Sequence, residues 1–199
     1  MPQPPGTDLL GVAGGRCPTC MLRSRSTEAV RAAVLYEGAA RRVLLRAKVG
    51  GRREILAHLG RQLAAVVAQS GHAASCSLVT AVPSHPWIRF RRGFDPALEV
   101  ARPVARVLRL PIRPRLLARC WRSPAAVKRM TAVGRRLALE RAFRVPHRLA
   151  GEQVLLIDDV LTTGATAEGC AAALLRAGAR SVRLAVWART PHPRRGAAP

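Results

Sequence analysis

The run VLLIDDVLTTGAT, Val154 to Thr166, constrains the fold more than any other part of the chain. Val154 to Ile157 are four consecutive apolar residues, the signature of a strand buried on both faces. Gln153 to Ile157 is therefore expected as a strand, with Asp158 and Asp159 at its carboxyl end. A Thr-Thr-Gly turn follows, and Ala165 to Ala177 has the composition of a helix ended by Gly178. A loop that opens a helix presents free backbone N–H groups and the positive end of the helix dipole, so it suits a phosphate. Thr162, Thr163 and Thr166 add hydroxyl donors, Ala165 adds an amide, and Gly164 lets the backbone approach an anion closely. The two aspartates can accept hydrogen bonds from the 2′- and 3′-hydroxyls of a ribose. One sugar phosphate could thus lie along a single strand-to-helix turn. Taken piecemeal, the same residues allow other uses: adjacent acids cap helices or bind metals, and Thr-Thr-Gly can be an ordinary turn. No G-K-S/T is present, and no G-x-G-x-x-G opens this helix, so neither a Walker loop nor a dinucleotide fingerprint applies.

Strands and helices alternate through the rest of the chain. Ala29 to Tyr36 and Ser77 to Val82 suit strands, the second stopped by Pro83. Ala39 to Lys48 and Arg53 to Gln69 suit helices, the latter with Ile55, Leu56, Leu59, Leu63, Val66 and Val67 inward. The stretch HPWIRFRRGF, from His85 to Phe94, reads as a basic loop. Pro96 to Leu108 reads as a helix with Asp95 as its N-cap, and Pro103 is expected to kink it or delay its start. Leu116-Leu117 suggests a brief strand, Trp121 to Met130 a loop, and Thr131 to Arg141 a helix leading to Phe143-Arg144-Val145. Ser181 to Trp187 is a last strand. This order predicts an α/β fold with a mostly parallel central sheet flanked by helices, and ligands beyond the carboxyl ends of its strands.

The net charge is +23, from 34 basic and 11 acidic residues, and only two of the basic residues are lysines, Lys48 and Lys128. Such a charge draws polyanions, nucleic acid or phosphorylated small molecules, and also follows from an Ala-, Gly-, Pro- and Arg-rich composition. Weak nucleic-acid binding is expected. Aromatic residues make up 4% of the chain, too few for an extended base-stacking platform. No apolar run has membrane-spanning length, and the first residues carry no secretion-signal pattern, so no membrane contact and a cytoplasmic location are expected. Cys17 and Cys20 form one C-x-x-C pair without a second pair or a nearby histidine, and no structural zinc is expected. Residues 1–27 are expected as a flexible tail and 192–199 as a disordered one, around a domain at 28–191.

Other residues have two readings each. Arg91 and Arg92 could hold a diphosphate or belong to a solvated basic loop. Lys48 could reach a phosphate, but a helix-end lysine facing the dipole is the plainer reading. His85 could be an acid or base, but an incidental loop histidine with no partner in view is the plainer reading, and Trp87 and Trp187 suit packing better than base stacking.

The motif as a whole resembles the 5-phosphoribosyl 1-diphosphate (PRPP) signature of type I phosphoribosyltransferases. Four further stretches resemble the ComF/GntX-like members of that family: LYEGAARRVLLRAKVGGR (Leu35 to Arg52), AVPSHPWIRFRRGFDPALEVA (Ala81 to Ala101), GRRLALERAF (Gly134 to Phe143) and WART (Trp187 to Thr190). The likeness runs from about Val34 to Pro191. It implies the type I phosphoribosyltransferase fold. It also implies a ribose site at Asp158 and Asp159, a 5′-phosphate site at Thr162, Thr163, Gly164, Ala165 and Thr166, and a diphosphate site at Pro83, Ser84, Arg91 and Arg92. Mg²⁺ would accompany PRPP, and a nucleobase or other amine would be the acceptor. The catalytic residue itself is unassigned. The implied activity is transfer of 5-phosphoribose to a nitrogen nucleophile. The alternative is a non-catalytic PRPP- or nucleotide-binding protein that assists DNA uptake or processing. The chain departs from the family in keeping one cysteine pair where a four-cysteine module is usual. It also has Asp95-Pro96 where the family has Asn-Gln, AAVKRM where it is Gln-rich, and Thr162 where purine-salvage relatives carry an acid.

Overall fold

A computed structural model describes residues 26–119 and 142–191. The expectations for the two tails (Ser26 and Thr27 apart), for Cys17 and Cys20, and for the Trp121–Met130 loop and the Thr131–Arg141 helix lie outside the described residues. In chain order the elements are β1 (Ala29–Leu35), α1 (Gly38–Val49), α2 (Arg53–Gln69), β2 (Leu78–Ala81), α3 (Pro86–Arg92), α4 (Pro96–Leu108), β3 (Ala118–Arg119), β4 (Phe143–Arg144), β5 (Gln153–Leu161), α5 (Ala165–Arg176) and β6 (Ser181–Arg189).

The main sheet has the order β1-β6-β5-β2, and every pairing in it is parallel. β5 is flanked by strands on both sides and covered on both faces. That accounts for the unbroken apolar run Val154 to Ile157, which is fully buried. Because side chains alternate along a strand, β5 feeds two cores. Leu155 and Ile157 pack with Leu44 of α1, Leu56 and Leu63 of α2 and Val100 of α4. Val154 and Leu156 pack with Cys170 and Leu174 of α5, and with Leu116, Leu117 and Phe143. The small antiparallel ribbon β3–β4 covers part of this second face. The expected fold class, a parallel sheet between helical layers, is the observed one.

Several local expectations need correction. The basic stretch after β2 is the short helix α3. His85 caps it, its Nδ1 accepting from the Trp87 N–H at 3.3 Å, Pro86 occupies its first position, and Gly93 ends it at φ 76°. Proline at the start and glycine at the end are helix punctuation, and they outweigh the absence of an apolar stripe. α4 starts at Pro96 as expected, but the Asp95 side chain does not cap it and binds Ser84 instead. Pro103 neither delays the helix nor ends it; it is buried against Gly60 of α2. The brief strand falls at Ala118–Arg119 rather than Leu116-Leu117, whose side chains are buried beneath it. β5 and β6 both run further than expected, to Leu161 and Arg189, because each keeps the other paired to its end.

Candidate functional site

A cavity of about 330 Å³ opens beyond the carboxyl ends of β2 and β5. Ala81 pairs with Ile157, so the residues after β2 rise beside the acidic end of β5. Val82, Pro83 and Ser84 form one wall, Asp158 to Ala167 the floor and opposite wall, and α3 contributes Ile88 and Arg92, with its cap His85 beside them. Lys48 of α1, Pro96 and Ala97 at the start of α4, and Arg119 of β3 complete the lining. The acidic pair, the whole Thr162–Thr166 loop, Pro83, Ser84 and Arg92 are thus brought together. Arg91 is exposed and is not among the lining residues.

The loop is shaped for close approach of an anion. Gly164 has φ 78°, a left-handed conformation that a side chain would strain, and it leads directly into α5. Thr162 and Thr163 are exposed. Thr163 Oγ1 accepts from the Ala165 N–H at 3.4 Å. Thr190 ties the loop down: its N–H donates to the Leu161 carbonyl at 2.9 Å, and its hydroxyl reaches the Leu161 and Thr162 carbonyls at 3.3 Å each. The threonine of the WART stretch is therefore a support for the loop.

The two acids stand on opposite faces of β5, because they are adjacent in a strand. Asp159 lies on the α1/α2/α4 side and is buried, and its Oδ1 accepts from Lys48 Nζ at 2.8 Å. Asp158 lies on the α5 side, and its Oδ1 accepts from the Asp159 backbone N–H at 2.9 Å. Burial, and next the negative charge of Asp159, push the Asp158 carboxyl well above the usual carboxylate range. Burial also raises Asp95, against the two hydrogen bonds it accepts from Ser84. Those bonds, from the Ser84 N–H at 2.9 Å and its hydroxyl at 3.1 Å, hold the loop after β2 in place.

The remaining residues separate cleanly. Lys48 is not merely a helix-end charge, since it reaches across the chain to Asp159. Trp187 is buried and donates its Nε1–H to Gln62 Oε1 at 3.1 Å. Trp87 is exposed and stacks on Phe90, with ring centroids 6.3 Å apart. Arg119 lies over the Phe143 ring, 5.4 Å from its centroid, with the cavity beside it. The sequence reading weighed Lys48 only as a phosphate contact or a helix-end charge and not as the partner of Asp159, and it missed Arg119 and Asp95 as parts of this site. Only Asp95 carried a local signal, its departure from the family pattern.

A parallel sheet with an anion-shaped loop and an acidic pair at the end of one strand is the architecture of phosphoribosyltransferases. The phosphoribosyl transferase domain family matches residues 96–196, half of the chain, and the chain belongs to that family. Its likeness falls on the ComF-like side. The DNA utilization protein YhgH of Escherichia coli O157:H7 is 33% identical over 143 residues, 70% of this chain and 62% of that protein. YhgH of Salmonella typhimurium strain LT2 is 33% identical over 139 residues, 68% of this chain and 60% of that protein. The chain therefore spans less than two thirds of the length of these curated relatives. A solved structure, TT1426 from Thermus thermophilus, aligns with a TM-score of 0.42 at 20% identity, over 72% of this chain and 86% of that one. Among the described residues no helix is long and apolar enough to cross a membrane.

Proposed function

We propose that this chain binds PRPP in the cavity above β2 and β5 and transfers its 5-phosphoribosyl group to a nitrogen nucleophile. The observation that carries this reading is the convergence of Asp158, Asp159 and the Thr162–Thr166 loop on one cavity. The loop amides and hydroxyls would hold the 5′-phosphate, and the acidic pair would hold the ribose hydroxyls. Arg92 and the Pro83–Ser84 wall would face the diphosphate. In the transfer, the bond from C1 to the diphosphate oxygen breaks and its electron pair leaves with the diphosphate. The nitrogen lone pair of the acceptor forms the new bond to C1, and the acceptor nitrogen then loses a proton to solvent. The chain's contribution is to position the sugar and its phosphates.

The donors lining the cavity are carboxylates, hydroxyls and amides, the oxygen-rich setting in which Mg²⁺ accompanies phosphates. Among the described residues no three His, Cys, Asp or Glu side chains group as a metal cage. Bound together with PRPP, Mg²⁺ would supply charge neutralisation for the diphosphate, and the cavity's carboxylates and hydroxyls, Asp158, Asp159 and Ser84 among them, would face it.

A second reading is a binding protein without transfer, serving DNA uptake or processing, in line with the DNA utilization for which the YhgH relatives are named. One observation favours it: the Ser84 N–H and hydroxyl, on the wall that would take the diphosphate, are already engaged by Asp95. Isothermal titration with PRPP, with and without Mg²⁺, tests the shared part of both readings. Asp158→Asn combined with Asp159→Asn is expected to abolish binding in a variant that still melts cooperatively. Unchanged PRPP affinity in that folded variant refutes the assignment. Diphosphate release with a panel of nucleobases separates transfer from binding alone.

A further inference from the structure

The last turn of α1 brings one cation to the acidic end of β5. Lys48 is 111 positions away from Asp159 in sequence, yet its Nζ lies 2.8 Å from Asp159 Oδ1. Their side chains are only 19% and 9% exposed. Both residues line the cavity. A largely desolvated pair is orienting, because a half-buried ammonium on one carboxylate oxygen restricts the rotamers of the acid and leaves the other oxygen for a ligand.

We propose that Lys48 is a positioning residue for the sugar half of this site: it fixes the Asp159 carboxylate toward the cavity and supplies the countercharge that lets two adjacent acids stand together there. The inference rests on the sugar-phosphate reading above and deepens it. Three acids meet at this end of the sheet, Asp158 and Asp159 on β5 and Asp95 before α4. The cations facing them are Lys48 from α1, Arg89 and Arg92 from α3, and Arg119 from β3; Cys170 of α5 lies beneath Asp158. Lys48 is the one cation among these with a hydrogen bond to the acidic pair. The electrostatics agree with the geometry, for Lys48 is also the cation that pulls the raised Asp158 carboxyl back down. Through one contact it orients Asp159, and through space it steadies Asp158.

The test uses the full chain, with ribose 5-phosphate and PRPP as probes and Lys48→Met and Lys48→Arg as variants. Lys48→Met is expected to weaken ribose 5-phosphate binding roughly tenfold or more, the worth of a charged hydrogen bond. Lys48→Arg, which keeps the charge, is expected to recover most of that loss. The pH below which ribose 5-phosphate binding fails is expected to rise in Lys48→Met and to return toward its original position in Lys48→Arg. A merely structural lysine would leave that pH unmoved. A folded Lys48→Met variant with unchanged affinity and an unmoved pH profile overturns the proposal. If the wild-type chain binds neither probe, the parent reading fails, and the Lys48 inference is still decided by carbon-detected NMR of the Asp158 carboxyl. That titration is expected to move to higher pH in Lys48→Met, and no movement refutes the role. Lys48→Gln carries the same comparisons should the methionine variant fail to fold.

Discussion

Gly60→Ala is expected to destabilise this protein even though alanine is the better helix former. Gly60 is buried in α2, where α2 crosses α4. A methyl group there would lie 2.4 Å from Pro103 Cγ and 2.4 Å from the Val100 carbonyl oxygen. Neither neighbour is the free end of a flexible side chain: one is backbone and the other a closed ring. Ordinary contact requires the helices to separate by roughly 1 Å. Relief of the glycine's backbone freedom contributes about 1 kcal/mol in favour of alanine. Overpacking of a rigid core costs about 1–3 kcal/mol, and two stiff contacts put this site at the upper end. The net loss is about 2 kcal/mol. For a chain of this size that lowers Tm by roughly 4–8 °C. The assay is a thermal melt together with urea titration. Pro103→Ala in the Gly60→Ala background is expected to recover part of the loss, as a double-mutant cycle reads it. A Gly60→Ala protein that melts at or above the wild-type temperature refutes the reasoning, for it would mean that α2 and α4 lie further apart than described. The interface also bears on the site, since Asp95 and its grip on Ser84 stand at the start of α4.

Asp158→Asn should raise Tm while it weakens sugar binding. The folded carboxyl is raised above its unfolded value, so its penalty is fully present above the folded pKa and fades as pH falls through it. The gain should therefore be largest in mildly alkaline buffer and shrink on acidification. Buried His72, whose imidazole is lowered by burial, has its own acid dependence, and it cancels in this comparison. A gain that grows with acid would contradict the argument. DNA binding should be weak and independent of sequence, and it should collapse between about 50 and 200 mM salt as counterions are released, with PRPP binding surviving better. Tight DNA binding at the upper salt level with no PRPP binding would favour the DNA-processing reading.

The long elements were legible because their signals are local. Arg53–Gln69 and Pro96–Leu108 were read to the residue, the first from its apolar stripe and the second from Asp95-Pro96. The strand-turn-helix geometry of the Thr162–Thr166 loop was legible too, since all three parts lie within one short run. α3 escaped notice because it buries no side chain and has no stripe, although Pro86 and Gly93 marked both of its ends. The end of β5 was misplaced because two acids interrupt the apolar run, whereas the backbone follows its partner β6. Asp95 was read as a cap from its position alone, and the competing donor, Ser84, lies 11 residues earlier. The Lys48–Asp159 pair had no local signal at all, because only the docking of α1 beside β5 brings the two together.

The strand order also bears on how the chain is made. β1 and β2 leave the ribosome before their partners, and they lie at opposite edges of the sheet and do not pair with each other. Those partners are β6 and β5, at residues 181–189 and 153–161. Until β5 and β6 are made, the nascent chain therefore carries β1 without a sheet partner, and β2 with only the short parallel bridge from Val79 to Ile112 on its other edge. Unpaired parallel edges of this kind invite association between unfinished chains, and holdase chaperones act on such surfaces. A message truncated before β6 would leave β1 without any partner in the main sheet.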